Sequence, residues 1–200
     1  ASVGYTEKQA IEKGYSSKTY HGYKGDFWNR ERAYVNQGFD NFVSLEDFNL
    51  DEKMSFGLSD FSFYKQVLHH LNDDFKMSQE PFHSFLISLS CHYPYRVPEE
   101  YCVLKDEEDE GFDSLFVNYL AGVRYADDAL GTFIDGVKDS DYYENTIFVF
   151  YGDHYGLNAK DKFNFELMSD YLGKDYDYDE MLNIPLFIHV GKPETIIPEY

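Results

Sequence analysis

The apolar residues of this chain form two kinds of pattern: short unbroken runs, and positions repeated at intervals of three and four. The runs at residues 81–90 and 147–151 are typical of strands buried on both faces of a parallel sheet. Further short strands are predicted within residues 16–22, 38–44 and 184–190. Because helical patterns lie between these strands, the alternation predicts an α/β fold with a predominantly parallel sheet and helices on both faces.

Short helices are predicted on either side of the first strand. They cover residues 6–13 and 27–35, and each is followed by a glycine, Gly14 or Gly38, that can end it. Towards the other end of the chain a helical stretch is expected at residues 161–172, with a polar loop rich in Tyr and Asp after it.

Two longer helices carry apolar stripes that are expected to be buried. The first begins after the cap residue Ser59, and the polar residues 72–74 are expected to break it. The second is the longest helix, from Asp113 to Lys138. The stripes consist of Phe63, Val67 and Leu71 in the first helix, and of Phe116, Leu120, Val123, Ala126, Leu130, Ile134 and Val137 in the second.

Composition indicates a globular chain with a strongly acidic surface. Hydrophobic residues make up 43% and aromatic residues 19%, unlike disordered sequences. The 37 acidic and 17 basic residues give a net charge of −20, which disfavours nucleic acid and anionic lipid as partners. An anionic substrate is still compatible if arginine, histidine and a metal reverse the potential in one cleft. The chain has neither an apolar run long enough to span a membrane nor a signal-peptide pattern at its start, so we expect it to be soluble as given.

Two further features are interpreted as structural. Cys91 and Cys102 lack the CxxC spacing of zinc or redox sites, and we expect free thiols. The acidic run from Lys105 to Gly111 lacks the alternating ligands of a calcium loop, so a solvated loop is predicted. Since no repeat or linker interrupts the chain, residues 1–200 are predicted to form part of one domain.

Polar residues follow three of the predicted strands. His21 follows the first strand, His92 follows the strand at 81–90, and Asp153 with His154 follows the strand at 147–151. Ligands of open parallel sheets bind beyond the carboxyl ends of the strands, so these residues are candidates for one site. A carboxylate beside an imidazole suits zinc or manganese, although two ligands leave such a site incomplete.

Each of these residues also has a structural interpretation. Asp153 can cap the following helix, His154 can pack in its loop, and His92 can stabilise the turn into Pro94. Arg30 is compatible with phosphate recognition, but an exposed arginine on a helix is common. The absence of a P-loop and of a GxSxG elbow leaves nucleotide-binding and serine-hydrolase mechanisms without support.

Four segments follow one another in the order in which lipoteichoic acid synthases carry them: HGYKGDFWNRERAY, GLSDFSFYKQVL, FLISLSCHYPY and FVFYGDHYG. The chain resembles this family of phosphoglycerol transferases over residues 14–190. The resemblance implies a sulfatase/alkaline-phosphatase-like fold and a manganese cofactor, with magnesium or zinc as alternatives. It further implies transfer of glycerol phosphate from phosphatidylglycerol to a polymer acceptor through a phosphothreonine, on the extracellular face of the cell membrane.

The resemblance also assigns roles to individual residues. Arg30 and His92 are expected to hold the phosphate oxygens and to act catalytically, and Trp28 is expected to shape the glycerol end of the pocket. The implied pocket residues are His21, Phe27, Trp28, Arg30 and His92, and the implied metal ligands are Asp153 and His154.

The chain departs from the family pattern at several points. The family's catalytic threonine and an acidic metal ligand lie on an earlier segment that has no match here, and neither Thr6 nor Thr19 has the required strand-to-helix context. Tyr23 stands where the family carries an acidic residue, and Asn158 stands where a small hydroxyl residue is expected. We therefore expect the C-terminal portion of a catalytic domain, truncated at both ends, inactive alone, and belonging to a parent protein with a membrane segment.

Two alternative functions follow from the same residues. The Gly-Asp-His strand end also occurs in sulfatases, phosphodiesterases and phosphoethanolamine transferases of the same superfamily. Because the nucleophile segment has no match, a non-catalytic module that binds glycerol phosphate is the second alternative.

Overall fold

The computed structural model describes residues 9–54, 57–101 and 114–192, with the side chain of residue 114 left out. The chain forms two compact units, residues 1–137 and 138–200, which are described separately. In the described ranges no helix combines the length and the apolar character needed to cross a membrane. The prediction of a single domain over residues 1–200 stays a prediction.

The described secondary structure consists of seven strands, five α-helices and four 3₁₀ helices of three residues each, together with helical residues 9–12. The strands are β1 (Ser16–His21), β2 (Asn41–Val43), β3 (Lys53–Met54), β4 (Gly57–Leu58), β5 (Phe82–Ile87), β6 (Ile147–Tyr151) and β7 (Leu186–Val190). The helices are α1 (Arg30–Gln37), α2 (Asp60–Ser78), α3 (Ser114–Lys138), α4 (Lys162–Leu172) and α5 (Tyr178–Met181). As predicted, Gly14 and Gly38 follow the first two helical segments with the positive φ angles of helix stops.

A parallel three-stranded sheet organises the first unit, with β1 between β2 and β5. His21 at the end of β1 pairs with Ile87 at the end of β5, so the carboxyl ends of these two strands meet at one edge. This arrangement confirms the predicted α/β class and the parallel sheet. The expectation that β5 is buried on both faces is wrong in the described structure: all six of its residues are only half-buried, because β5 is an outer strand of this sheet.

Helices cover both faces of this sheet, as predicted. The ring of Tyr34 in α1 lies 5.7 Å from Phe42 and 5.8 Å from Phe85, which occupy one face. Successive side chains of a strand point to opposite faces, and Tyr20 on the other face contacts His70 of α2 at 6.1 Å between ring centroids. The core of the unit is therefore built from aromatic rings on both sides of β1.

The helix α2 begins as predicted but ends later. Ser59 caps it by accepting a hydrogen bond from the Ser62 amide at 3.1 Å, and the predicted stripe at positions 63, 67 and 71 is buried. The predicted break at residues 72–74 is wrong, since the helix continues to Ser78. Asp74 forms an ion pair with Lys18 of β1 at 2.6 Å, so this polar residue attaches the helix to the sheet instead of ending it.

The buried face of α3 is displaced from the predicted stripe. Phe116 and Val137 are buried as predicted, but Val123 is 43% exposed. The rings of Tyr125 and Phe133 pack against two aromatic rings of α2 at 5.1 Å, and these large side chains determine which face of the helix is buried. The buried positions between the two ends of the helix include Val117, Ala121, Tyr125, Ala129 and Phe133.

In the second unit β6 and β7 form an antiparallel ribbon. The prediction that β6 is a buried strand continuing the parallel alternation is wrong: its alternate residues Ile147, Val149 and Tyr151 are half-exposed. An apolar run indicates where a strand lies, but it carries no information on strand direction. The predicted loop at residues 175–180 also contains the start of α5, because Asp177 accepts hydrogen bonds from the next turn's amides.

The predictions for the two cysteines and for the acidic loop fall only partly within the described residues. Cys91 is a free thiol, as expected, and burial raises its pKa to about 11, which makes it unreactive at neutral pH. Cys102 and the acidic run from Lys105 to Gly111 lie outside the described residues.

Candidate phosphate pocket and metal ligands

His21 is buried at the carboxyl end of β1, with 2% of its surface exposed. Its Nδ1 lies 3.1 Å from the carbonyl oxygen of Ile87, and a carbonyl can only accept, so Nδ1 carries the proton and donates it. Burial, with a smaller contribution from the nearby charge of Arg30, lowers the pKa of His21 to about 4. At neutral pH His21 is therefore an uncharged ring whose Nε2 is a hydrogen-bond acceptor.

The segment after β1 adopts an unusual backbone conformation. Trp28 and Asn29 have φ angles of 56° and 57°, in the left-handed region that costs an L-residue roughly 1–2 kcal/mol. Trp28 is nevertheless 73% exposed, so burial of its own ring does not compensate for this strain. Strained residues of this kind are concentrated at ligand-binding sites, where the surrounding structure imposes the conformation.

Arg30 begins α1 immediately after the strained pair. Its guanidinium carbon lies 5.6 Å from the centroid of the Trp28 ring, a cation–π contact that orients the side chain. The Nε atom of Arg30 is buried and has no hydrogen-bond partner in the described structure. A buried guanidinium N–H without an acceptor is costly, and a phosphate oxygen is the acceptor that best matches its geometry.

Aromatic rings form a wall beside Arg30. Phe27 stacks on Trp28 at 5.3 Å between centroids, and Tyr23 packs edge-on against Phe27 at 5.0 Å. Phe27 was expected in the pocket, whereas Tyr23 was noted only as a departure from the family pattern. The aromatic residues at positions 23, 27 and 28 were the sequence signal that could have identified this wall.

His92 lies in the loop that follows β5, and its ring is exposed. Its backbone does stabilise the turn into Pro94, since the Tyr95 amide donates to the His92 carbonyl at 2.9 Å. The ring has a separate arrangement: Nδ1 lies 2.8 Å from the Tyr93 carbonyl oxygen and must donate to it. His92 can then donate to a phosphate oxygen through Nε2 only in its doubly protonated form.

A short segment from Gly57 to Asp60 touches both strand ends. The Leu58 amide donates to the Gly22 carbonyl at 2.9 Å, directly after His21. The Asp60 carboxylate accepts hydrogen bonds from the amides of Leu89 and Ser90, in the loop that leads to His92. The sequence analysis predicted only the helix cap in this segment. The signal for the contact with the loop that leads to His92 was an acidic residue directly after the cap, among apolar neighbours.

In the second unit Asp153 and His154 follow β6, and the structure disagrees with both of their structural interpretations. The helix α4 is capped by Asp161, not by Asp153, and the His154 ring is exposed and not packed in its loop. His154 Nδ1 lies 2.7 Å from the Tyr155 carbonyl oxygen, which leaves Nε2 as the ligand atom, and Nε2 is 3.7 Å from Asp153 Oδ1.

These two donors fit part of a metal site. A carboxylate oxygen and an imidazole nitrogen oriented by a backbone carbonyl are the donors that zinc or manganese takes. Over the residues that the structure describes, no group of three or more His, Cys, Asp or Glu side chains could hold a metal ion. Among the described residues, Asp153 and His154 could therefore supply two ligands, and a metal ion would need further ones.

The structure brings the predicted pocket residues of the first unit to one end of the sheet. Contacts join Phe27, Trp28 and Arg30 to one another, and the Arg30 charge acts on His21. His92 is attached to this end through the loop after β5. Thr19 lies in the middle of β1 and is fully buried, in agreement with its rejection as a nucleophile, and Thr6 lies outside the described residues.

Comparison with known proteins identifies the family of this chain. A family model described as Sulfatase matches residues 8–194. The lipoteichoic acid synthase-like protein YvgJ of Bacillus subtilis is 36% identical over 203 residues, covering 94% of this chain and 31% of the relative. The chain thus spans about a third of the length of that protein.

Solved structures of other proteins share the fold of this chain. The lipoteichoic acid synthase LtaP of Listeria monocytogenes superposes with a TM-score of 0.79 at 28% identity, covering 92% of this chain and 45% of the other. The phosphoglycerol transferase GacH of Streptococcus pyogenes, solved with sn-glycerol-1-phosphate, shares the fold with a TM-score of 0.60 at 19% identity, over 89% of this chain and 44% of the other. The chain belongs to the sulfatase family, as a lipoteichoic acid synthase-like member of the alkaline phosphatase superfamily.

Proposed function

We propose that this chain supplies the glycerol phosphate pocket and two metal ligands of a phosphoglycerol transferase. The enzyme would move glycerol phosphate from phosphatidylglycerol to a lipoteichoic-acid-type polymer. The names of the relatives support this kind of reaction. We propose the extracellular face of the cell membrane as the place of the reaction, as the similarity to lipoteichoic acid synthases implies.

The observation that carries the proposal is the state of Arg30. Its Nε is buried without an acceptor, while its guanidinium is held against the Trp28 ring in a chain with a net charge of −20. In so acidic a protein, a preorganised arginine at a strained turn provides the local positive charge that an anionic substrate needs. Arg30 would hold two phosphate oxygens and offset the charge that develops on them during transfer.

The two histidines would have different tasks in this pocket. His21 is neutral at pH 7 and can accept a hydrogen bond from a glycerol hydroxyl through Nε2, which suits it to the uncharged end of the ligand. His92 is exposed and, when doubly protonated, adds a second positive donor for the phosphate. Phe27 and Trp28 would form the wall against which the glycerol carbons pack.

Asp153 and His154 would hold the metal, with manganese as the proposed ion and magnesium or zinc as alternatives. When bound, such an ion would supply the positive charge that lowers the pKa of an attacking hydroxyl and polarises the phosphoryl group. Their side chains are exposed and their donor atoms lie 3.7 Å apart, so one ion could contact both. The work of the residues at the sheet edge of the first unit is to bind and orient the glycerol phosphate.

Titration of the chain with sn-glycerol-1-phosphate, followed by calorimetry, tests this proposal. The substitution Arg30→Ala is expected to weaken binding at least tenfold, the loss of about 1.4 kcal/mol that one charged hydrogen bond explains. Arg32→Ala is the matched control, because Arg32 lies on the same helix, is exposed and changes the net charge equally. Equal affinity of wild type and Arg30→Ala would refute the phosphate role.

A further inference from the structure

We propose that Asp60 is a positioning residue of the pocket, whose carboxylate holds the loop that carries His92 against the strand end that carries His21. The inference rests on the proposed function, because it takes His92 as a phosphate ligand. Asp60 itself is fully buried.

The contacts of Asp60 are directed at one loop. Its Oδ1 accepts hydrogen bonds from the amides of Leu89 at 2.9 Å and Ser90 at 3.0 Å. Its own amide donates to the Ser90 hydroxyl at 3.0 Å, and Ser90 is buried. Three hydrogen bonds therefore attach the first residue of α2 to the loop after β5.

Leu89 continues this connection to His92. The amide of Leu89 donates to Asp60, and its carbonyl accepts the His92 amide at 3.1 Å. A single residue thus links the buried carboxylate to the backbone of the proposed phosphate ligand. The Leu89 carbonyl and the Ser90 amide belong to one planar peptide unit, and Asp60 holds that unit through the Ser90 amide. If Asp60 no longer accepts from it, the unit can rotate, and the His92 amide that donates to the Leu89 carbonyl moves with it.

The same segment also contacts the end of β1. The Leu58 amide donates to the Gly22 carbonyl, and Gly57 packs so closely that a Cβ at this position would lie 2.6 Å from the Gly22 oxygen and would also collide with the Leu89 side chain. Gly22 directly follows His21. Gly57, Leu58 and Asp60 therefore connect the two loops that carry the pocket histidines.

An acidic residue at this position carries a cost. Burial disfavours the charged form of the Asp60 carboxyl and therefore raises its pKa. In addition, its Oδ2 is buried and has no hydrogen-bond partner in the described structure. An apolar side chain would avoid that penalty and would fill the same space. What an apolar side chain cannot provide is one acceptor for two adjacent amides.

Two substitutions of similar shape separate these roles. Asp60→Asn keeps a carbonyl oxygen that can accept from the two amides. Asp60→Leu keeps the side-chain volume but removes the acceptor. If the leucine variant does not fold, Asp60→Ala gives the same comparison. Ser59→Ala is the control, because it removes the cap of the same helix without touching the loop. Each variant is titrated with sn-glycerol-1-phosphate, and amide exchange and the His92 ring resonances are recorded by NMR.

We expect Asp60→Asn and Ser59→Ala to bind sn-glycerol-1-phosphate within about twofold of wild type. Asp60→Leu should bind it about tenfold more weakly, and in this variant the Leu89 and Ser90 amides should exchange faster. In the His92→Ala background Asp60→Leu is expected to add no further loss, because Asp60 acts through His92. Unchanged affinity in Asp60→Leu, or an equal loss in both backgrounds, would overturn the inference.

The two proposals fail in different ways. If His92→Ala binds as wild type does, His92 is not a phosphate ligand and that part of the proposed function is wrong. The NMR data then decide the positioning role alone. Shifted His92 ring resonances in Asp60→Leu but not in Ser59→Ala would support it, and unshifted resonances in both would refute it.

Discussion

The Nδ1 atom of His21 lies 3.1 Å from the carbonyl oxygen of Ile87, so a side chain at the end of one parallel strand is hydrogen-bonded to the last residue of its neighbour. The backbone register pairs the same two residues. The imidazole therefore continues the strand pairing past the point where the backbone ladder ends. Its tautomer is set by this contact, and its position is set by the sheet.

The stability of the protein is expected to depend on pH through His21. Its pKa is about 4 in the folded protein and 6.5 in the unfolded chain, so between these values the unfolded chain binds more protons. The contribution of His21 is complete above pH 6.5 and is lost as the pH falls towards 4. Between pH 7 and pH 4.5 the loss is on the order of 2–3 kcal/mol.

Chemical denaturation of wild type and His21→Gln at both pH values measures this contribution. The glutamine variant should be less stable at pH 7 but should lose less stability on acidification. His69→Gln is the control, since His69 is exposed on α2. Identical pH dependence in all three proteins would contradict a neutral, buried His21.

Substitutions at Trp28 should reverse the usual order of glycine and alanine. Because φ is 56° at this position, Trp28→Gly is expected to be more stable than Trp28→Ala by about 1 kcal/mol. Both variants should bind sn-glycerol-1-phosphate more weakly, since both lose the ring that orients Arg30. Thermal denaturation and calorimetry measure the two effects separately, and greater stability of the alanine variant would show that the backbone is not strained.

Two glycine substitutions should have opposite effects on stability. Gly57→Ala places a Cβ against the Gly22 carbonyl oxygen and the Leu89 side chain, and an overpacked site of this kind costs about 1–3 kcal/mol. Gly131→Ala lies within α3 with nothing near its Cβ, so it should stabilise by roughly 0.5–1 kcal/mol. Denaturant titrations compare the two, and a Gly57→Ala variant as stable as wild type would contradict the close packing.

Manganese binding should depend on the Asp153–His154 pair, and substitution of either exposed residue should leave the stability of the metal-free protein unchanged. Asp153→Ala and His154→Ala are each expected to lower manganese affinity at least tenfold, because each removes one direct ligand. Asp170→Ala, another exposed carboxylate of the same unit, should have no effect. Free manganese is counted by electron paramagnetic resonance during titration, and retention of affinity in both variants would remove the metal assignment.

Local features of the fold could be predicted where neighbouring residues determine them. Ser59 and the stripe that begins at Phe63 specify α2 without help from the rest of the chain. The end of α2 could not be predicted, because the Asp74 ion pair to Lys18 joins residues far apart in sequence. The direction of β6 likewise depends on its partner β7, about which its own composition says nothing.

The candidate site could likewise be predicted only in part. The residues at strand ends, such as His21, follow from the order of elements, and the roles of Trp28 and Arg30 came from a family resemblance. The left-handed backbone at Trp28 and the buried Nε of Arg30 are products of tertiary packing, which no local pattern encodes. Asp60 was overlooked because an acidic residue in the first turn of a helix has an ordinary explanation.

The half-exposed ribbon of β6 and β7 has a consequence for handling the protein. Leu186, Phe187 and Ile188 are 61%, 65% and 65% exposed, so both faces of β7 present apolar side chains that attract other copies at short range. The net charge of −20 repels those copies, but this repulsion reaches only about 10 Å at 0.1 M salt and shrinks as salt is added. Dilute buffer should therefore keep the protein dispersed, and concentrated salt should drive it to self-associate.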